Sequence, residues 1–206
     1  MYALIIDNAI NKIITQPKSL VIDDVRYPAK IFQLWTKTEK ETIGIYEVVT
    51  DASNFKDEKY YNNTNEQYNF ADGQVTRSWG TATAKNIADT LWTQDDSDDG
   101  VLPSDKSVGD VKNKGLKTTL IETVKKQAAG ILQETDWYVI RKADAGTTVP
   151  SSITTHRAAV RTKAAQMETA IDNAADVDAL KTLYDYTEQE DGSVTRPLGE
   201  FPVLEN

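Results

Sequence analysis

The chain has 206 residues and a formal net charge of −9, with 39% hydrophobic and 27% charged residues, four Trp, nine Tyr, four Phe and no Cys. Without thiols, disulfides, thiolate zinc sites and cysteine nucleophiles are all excluded. The negative charge repels phosphate and anionic lipid at long range, so neither nucleic acid nor a membrane surface is expected as the main partner.

The length suits one core with an appendage or two domains of about 100 residues each. Residues 1–30 show no basic start followed by an apolar run, and no stretch approaches the ~18 apolar residues of a membrane span, so a cytosolic protein is expected. The apolar and aromatic content is sufficient to offset chain entropy, so the chain should fold, and the strands followed by helices read below place it in the α+β class.

In chain order, residues 2–6 and 10–15 carry β-branched residues around Asp7 and Asn8, which predicts an opening hairpin. Residues 19–27 read as one extended piece. Pro28 can open a helix, and Ile31, Leu34 and Trp35 then recur at helical spacing up to Gly44, predicting a short helix over 29–41. The run Ile45-Tyr46-Glu47-Val48-Val49 is β-rich, and 60–79 holds aromatic strands broken at Asp72-Gly73, a hairpin dipeptide. These elements define a β-rich N-terminal domain over 1–92. The stretch 93–107, with Asp95, Asp96, Asp98, Asp99, Gly100 and Pro103, supplies charge and backbone breakers and reads as an acidic linker.

The remaining residues, 108–206, read as a helical hairpin domain with an extended tail. Leu116, Leu120, Val124, Ala128 and Leu132 step by four, and Ile121 and Ile131 widen the stripe, which predicts a helix over 108–133 with one buried face. Ser151 or Ser152 can cap a second helix over 151–172 whose Ile153, Val160, Ala164, Met167 and Ile171 keep helical spacing. Two such helices joined by a short loop should pair antiparallel, burying Leu120, Val124, Ile131, Leu132, Val160, Ala164 and Met167. Asp176 can cap a third, short helix containing Val177, Leu180 and Leu183. The tail then turns extended around Asp191-Gly192, a segment that echoes Asp72-Gly73 and is explained as a second turn entering a strand.

No residue pattern supplies a catalytic site. His156 is the only histidine, and without a nucleophile or metal-binding companion it reads as a surface or packing residue. The acidic run starting at Asp95 resembles a calcium loop in composition, but Lys106 stands where the closing bidentate glutamate belongs. Isolated glycines form no phosphate loop, and the carboxylate pairs Asp23/Asp24 and Glu188/Glu190 read as solvent-facing. No catalytic, cofactor-binding or metal-ligating residue, and no cofactor, is therefore assigned. Arg157, Arg161 and Lys163 share a helix with little aromatic company, a poor nucleic-acid surface. The densest feature is Thr135-Asp136-Trp137-Tyr138-Val139-Ile140-Arg141. One account has Trp137 and Tyr138 plugging the space between the long helices while Asp136 ties the loop through backbone amides; the other makes the aromatics a partner contact.

At these residues the chain resembles the tail-fibre assembly proteins and related small tail proteins of tailed bacteriophages. The resemblance runs through Ile131-Leu132, Thr135 to Lys142, Gly146, Pro150 and His156-Arg157-Ala158-Ala159-Val160-Arg161, within about 111–172. A looser similarity to the leading domain of small marine-phage tail-region proteins runs through Met1-Tyr2-Ala3-Leu4, Leu34-Trp35, Gly44-Ile45-Tyr46-Glu47-Val48-Val49 and Tyr60-Tyr61-Asn62-Asn63-Thr64. His156 departs from the family, where tyrosine is usual. The resemblance implies a non-enzymatic chaperone, active in the host cytoplasm, that binds a tail fibre or another tail protein through a sheet edge or an exposed apolar patch. A permanent adaptor of the virion tail or baseplate is the alternative it leaves open. A hydrolase built on scattered carboxylates and His156 lacks any clustered constellation.

Overall fold

A computed structural model describes residues 1–204. The protein is α+β, as expected, and divides into two units, Met1–Thr83 and Ala84–Asn206.

The first unit is built on a five-stranded sheet. β1 (Tyr2–Ile6) and β2 (Ala9–Ile14) form the opening hairpin, turning at Asp7 and Asn8 with φ of 52° and 60°. Both residue types tolerate this left-handed region, and two such residues make the turn that matches strand twist. Residues 19–27 form not one strand but a second hairpin, β3 (Leu20–Ile22) and β4 (Val25–Tyr27). Asp23 and Asp24, at φ 47° and 64°, are its turn.

The expected helix over 29–41 is two short pieces, α1 (Ile31–Leu34) and α2 (Lys37–Glu41). The break falls at Trp35 and Thr36, both extended, because Thr36 starts a new helix. Its hydroxyl accepts from the Glu39 amide at 3.3 Å, and its own amide donates to the Glu39 carboxylate at 2.7 Å. This reciprocal cap, Thr-x-x-Glu, outweighs the continuing apolar spacing. Gly44 then carries the chain into β5 (Ile45–Thr50) at φ 78°, and a Cβ there would lie 2.5 Å from the Ile5 carbonyl oxygen, so only glycine fits.

Next come β6 (Tyr61–Asn62), β7 (Gln67–Ala71) and β8 (Gln74–Ser78), with Asp72-Gly73 turning β7 into β8 as the dipeptide predicts. The sheet order is β2-β1-β5-β8-β7, antiparallel except for the parallel pair β5–β8. It curls until its edge strands β2 and β7 approach each other. Both faces are apolar. Ala3, Ile5 and Val75 fill one with Tyr46, Val48 and Phe70. Leu4, Ile14 and Ile45 on the other are covered by Ile22, Ile31 and Phe32.

The second unit opens near β9 (Thr83–Ala84), and its boundary at residue 83 lies short of the expected 92. The reason is that the stretch read as a linker is closed into a loop. β10 (Thr90–Leu91) pairs with β11 (Val111–Asn113), and Trp92 exchanges backbone bonds with Asp110 and Gly109 at 2.9 and 2.8 Å. Within that loop the acidic run forms α3 (Gln94–Asp98), capped reciprocally by Thr93 and Asp96.

α4 (Leu116–Gln133) begins later than expected because 111–113 is committed to that ladder. Its first amides, of Gly115, Leu116 and Lys117, donate to the Asp89 carboxylate and to the carbonyls of Asn86 and Ile87 at 2.7–3.1 Å. A Cβ on Gly115 would run into the Ala88 carbonyl, so glycine is required for this close crossing.

α5 (Asp136–Ala145) occupies residues expected to be loop, so α4 and α6 (Ser151–Asp172) are paired but not joined by a simple turn. Leu120, Val124, Val160, Ala164 and Met167 are buried as expected, while Ile131 and Leu132 are half-buried. α7 (Val177–Thr182) is capped by Asp176, whose carboxylate accepts from the Ala179 amide at 2.8 Å. The tail forms a small hairpin, β12 (Thr187–Glu188) and β13 (Val194–Thr195). Among the described residues no helix is long and apolar enough to cross a membrane.

Candidate protein-binding surface

The junction of α4, α5 and α6 is organised by one buried cation. Arg157, only 8% exposed on α6, donates through Nη1 to the Leu132 carbonyl at 2.6 Å and to the Thr135 hydroxyl at 2.7 Å. Through Nη2 it donates to the Asp136 carboxylate at 2.9 Å. The Thr135 hydroxyl in turn donates to the Leu132 carbonyl at 3.1 Å. A guanidinium suits this task because its planar fork serves several acceptors at once. The cation suits the C-terminal end of α4, where it adds a bond to the Leu132 carbonyl, and the Asp136 carboxylate in the first turn of α5 offsets its charge at that helix's N-terminus. Asp136 thus does not tie the loop through backbone amides, as one account of the sequence had it; it anchors α5 to α6.

The consequence for α5 is that the space between the helices is filled by Arg157 and Thr135 rather than by the aromatic pair. Trp137 is 49% exposed, against the expectation of a buried plug, and Ile140 is 67% exposed with Val139 beside it at 44%. No residue of α5 is fully buried. The Trp137 and Tyr138 rings lie 3.9 Å apart, tilted by 33°, and the Arg141 guanidinium sits 5.2 Å from the Trp137 ring. Stacking and the cation orient the indole, and Ile140, one turn further along, shares its face, so α5 presents an apolar surface of Trp137 and Ile140, with the exposed Val139 turned to another side.

His156 is buried on α6 next to Arg157, the packing position expected of a solitary histidine. It borders a shallow groove with Ser152, Thr155 and the tail residues Pro202 and Val203. Of the acidic run, Asp96 alone is drawn into a cluster. Its carboxylate accepts from the Thr93 amide and hydroxyl, both at 2.9 Å, and from the Lys112 ammonium at 2.6 Å. The Lys112 bond, followed by the Thr93 bonds, brings its pKa down to about 2. These acceptor sites are occupied by the protein's own donors, and among the described residues no group of three or more His, Asp or Glu is placed to hold a metal ion. Asp23 and Asp24 are turn residues and Glu188 lies in an exposed hairpin.

The residue that sequence reasoning overlooked is Arg157. Its signal was present, because an arginine sits between Ile153 and Val160 on the stripe that faces the core, where a cation needs a partner. Compared with known protein families, curated proteins and solved structures, the chain matches none.

Proposed function

We propose that this is a protein-binding protein that works without chemistry on its partner, and more specifically an assembly chaperone for a bacteriophage tail fibre. The observation that carries the first step is the α5 surface: a helix with no buried residue, an oriented Trp137 and two exposed aliphatic side chains, held by a buried arginine. A helix with no fully buried residue adds little apolar burial to its own fold, and an oriented aromatic with an aliphatic neighbour is the composition of an interface centre. The second step rests on the resemblance. The residues that carry it, Thr135 to Lys142 and His156 to Arg161, are the ones that build the anchored helix. The occupant of α5 is accordingly the fibre polypeptide, whose unfinished apolar surfaces require cover until trimerisation buries them.

The test is co-expression of this protein with a tail-fibre protein of the same phage, followed by measurement of soluble trimer. Trimer is expected with the wild-type chain and not with Trp137→Ala/Ile140→Ser, a variant that keeps its helical circular dichroism. Equal trimer yields with and without the protein would overturn the chaperone reading. Stoichiometric copies in purified particles would instead assign it to the virion.

A further inference from the structure

The first unit carries a second site of different chemistry. Between the sheet and the β3–β4 hairpin lies a cleft of about 600 Å³, within the usual range for a ligand site. Leu20 and Val21 make its accessible apolar part, over the buried Leu4 and Ile14, and the cations Lys12, Lys18 and Arg26 line it with no carboxylate among the lining residues. The hairpin's own acids, Asp23 and Asp24, lie at its turn and outside that lining. In a chain of net charge −9 this is a reversal of the prevailing sign. Among the described residues none of the three cations joins an ion pair, although nine other cations do.

We propose that this cleft docks an extended acidic peptide segment of a partner protein, with an aliphatic side chain seated on Leu20 and Val21 and flanking carboxylates meeting Lys12, Lys18 and Arg26. Charge complementarity selects the sign of the ligand, and the apolar part selects an amphipathic one. Peptide is favoured over a small anion by how the donors are held. A single phosphate or carboxylate needs fixed, convergent donors. Here all three cations are exposed on flexible stems, and among the described residues no buried side-chain polar atom is left without a partner. An apolar centre ringed by exposed charge is the anatomy of a protein interface, with the rim steering encounter.

The experiment uses the full chain and a fluorescein-labelled octapeptide of alternating glutamate and leucine, read by fluorescence anisotropy. Binding is expected, weakening steeply between about 0.05 and 0.5 M salt as the exposed charges are screened. The variants replacing leucine by serine or glutamate by glutamine should bind at least tenfold more weakly, by about 1.4 kcal/mol. Lys12→Glu/Lys18→Glu/Arg26→Glu should lose a similar factor at unchanged melting temperature. If it misfolds, Lys12→Gln and Lys18→Gln singly should each cost about twofold to fivefold. The proposal is overturned by absence of binding, by equal affinity for the glutamine peptide, by insensitivity to all the lysine variants, or by dodecanoate binding where the peptide does not. It stands apart from the α5 reading: Trp137→Ala/Ile140→Ser should bind this peptide like the wild type, and loss there would move the site away from the cleft.

Discussion

α5 and α6 are neighbours in sequence and α5 has the larger share of apolar residues, six of ten against nine of 22, yet α6 buries seven residues and α5 none. On α6 the apolar residues Ile153, Val160, Ala164, Met167 and Ile171 recur at steps of seven, four, three and four, so they form one stripe and meet α4. On α5, Trp137, Tyr138, Val139 and Ile140 are consecutive, and consecutive helical residues point in different directions around the axis. A run of four apolar residues in a helix therefore cannot be buried against one neighbour. Amount of apolar character does not decide burial; spacing does. What keeps α5 in place is polar, the Arg157 tie, and that frees its apolar side chains for another surface.

The contrast is broken most severely by attacking the stripe. Val124, 2% exposed on α4 where it faces α6, has no partner for a charge. Val124→Asp should destabilise the second unit by more than about 4 kcal/mol or prevent its folding, because an unpaired carboxylate would be buried mid-stripe. Thermal unfolding followed by circular dichroism is the check, and an unchanged melting temperature would contradict the packing of α4 on α6.

Removing the tie should come next. Arg157→Ala leaves the buried Thr135 hydroxyl oxygen without its donor and takes one bond from the Leu132 carbonyl, which keeps those from the Thr135 amide and hydroxyl, and should cost about 2–3 kcal/mol, the range for losing charged hydrogen bonds to buried groups. Arg157→Lys should recover only part, since one ammonium cannot replace a fork serving three acceptors. The Asp136 carboxylate is half-exposed, so a double-mutant cycle between Arg157 and Asp136 should give a coupling of only about 1 kcal/mol or less. Most of the loss is then assigned to the α4 end and not to the ion pair. Proteolysis within α5 should quicken in both variants.

Trp137 sharpens the comparison from the other side. A tryptophan buried between the helices would cost about 3–5 kcal/mol to truncate. At 49% exposure, Trp137→Ala should cost about 1 kcal/mol, the scale of a lost ring stack and cation contact. Denaturant unfolding distinguishes the two figures easily. A cost in the higher range would mean that the indole serves the core and that α5 is no free surface.

The elements legible in the sequence were those whose signal is local or strictly periodic. The Asp7-Asn8 and Asp72-Gly73 hairpins, the strand Ile45–Thr50, the α4 and α6 stripes and the Asp176 cap all follow from turn chemistry or spacing. What escaped had a competing signal. The Thr36-Glu39 capping box divided a helix that apolar spacing alone would continue, and the Thr93-Asp96 box with the β10–β11 pairing turned an apparent linker into a closed loop. Both boxes can be read from sequence once capping is ranked above composition. The site was less legible, because α5 depends on an arginine 21 residues away from Asp136, a tertiary contact that no local rule supplies.

The smallest effect belongs to a charged tie of the opposite kind, on the surface and not between helices. Asp96 holds Thr93 and Lys112 with its carboxylate, and those donors depress its pKa to about 2 from the ordinary value near 3.8. A carboxyl whose folded pKa lies below its unfolded pKa binds protons more readily when unfolded, so stability rises with pH across that interval. The contribution is complete above about pH 4 and is lost as the pH falls through about 2. Asp96→Asn should therefore lower stability slightly at pH 7, and the gap from the wild type should narrow between about pH 4 and pH 2. High salt should shrink it further at neutral pH, because the Lys112 pair lies at the surface, only partly shielded from the screening ions. Urea unfolding of both proteins at pH 7, 4 and 2.5 gives the comparison. A gap that stayed constant over this range would show that Asp96 holds the loop by shape alone, and that its charge does not enter.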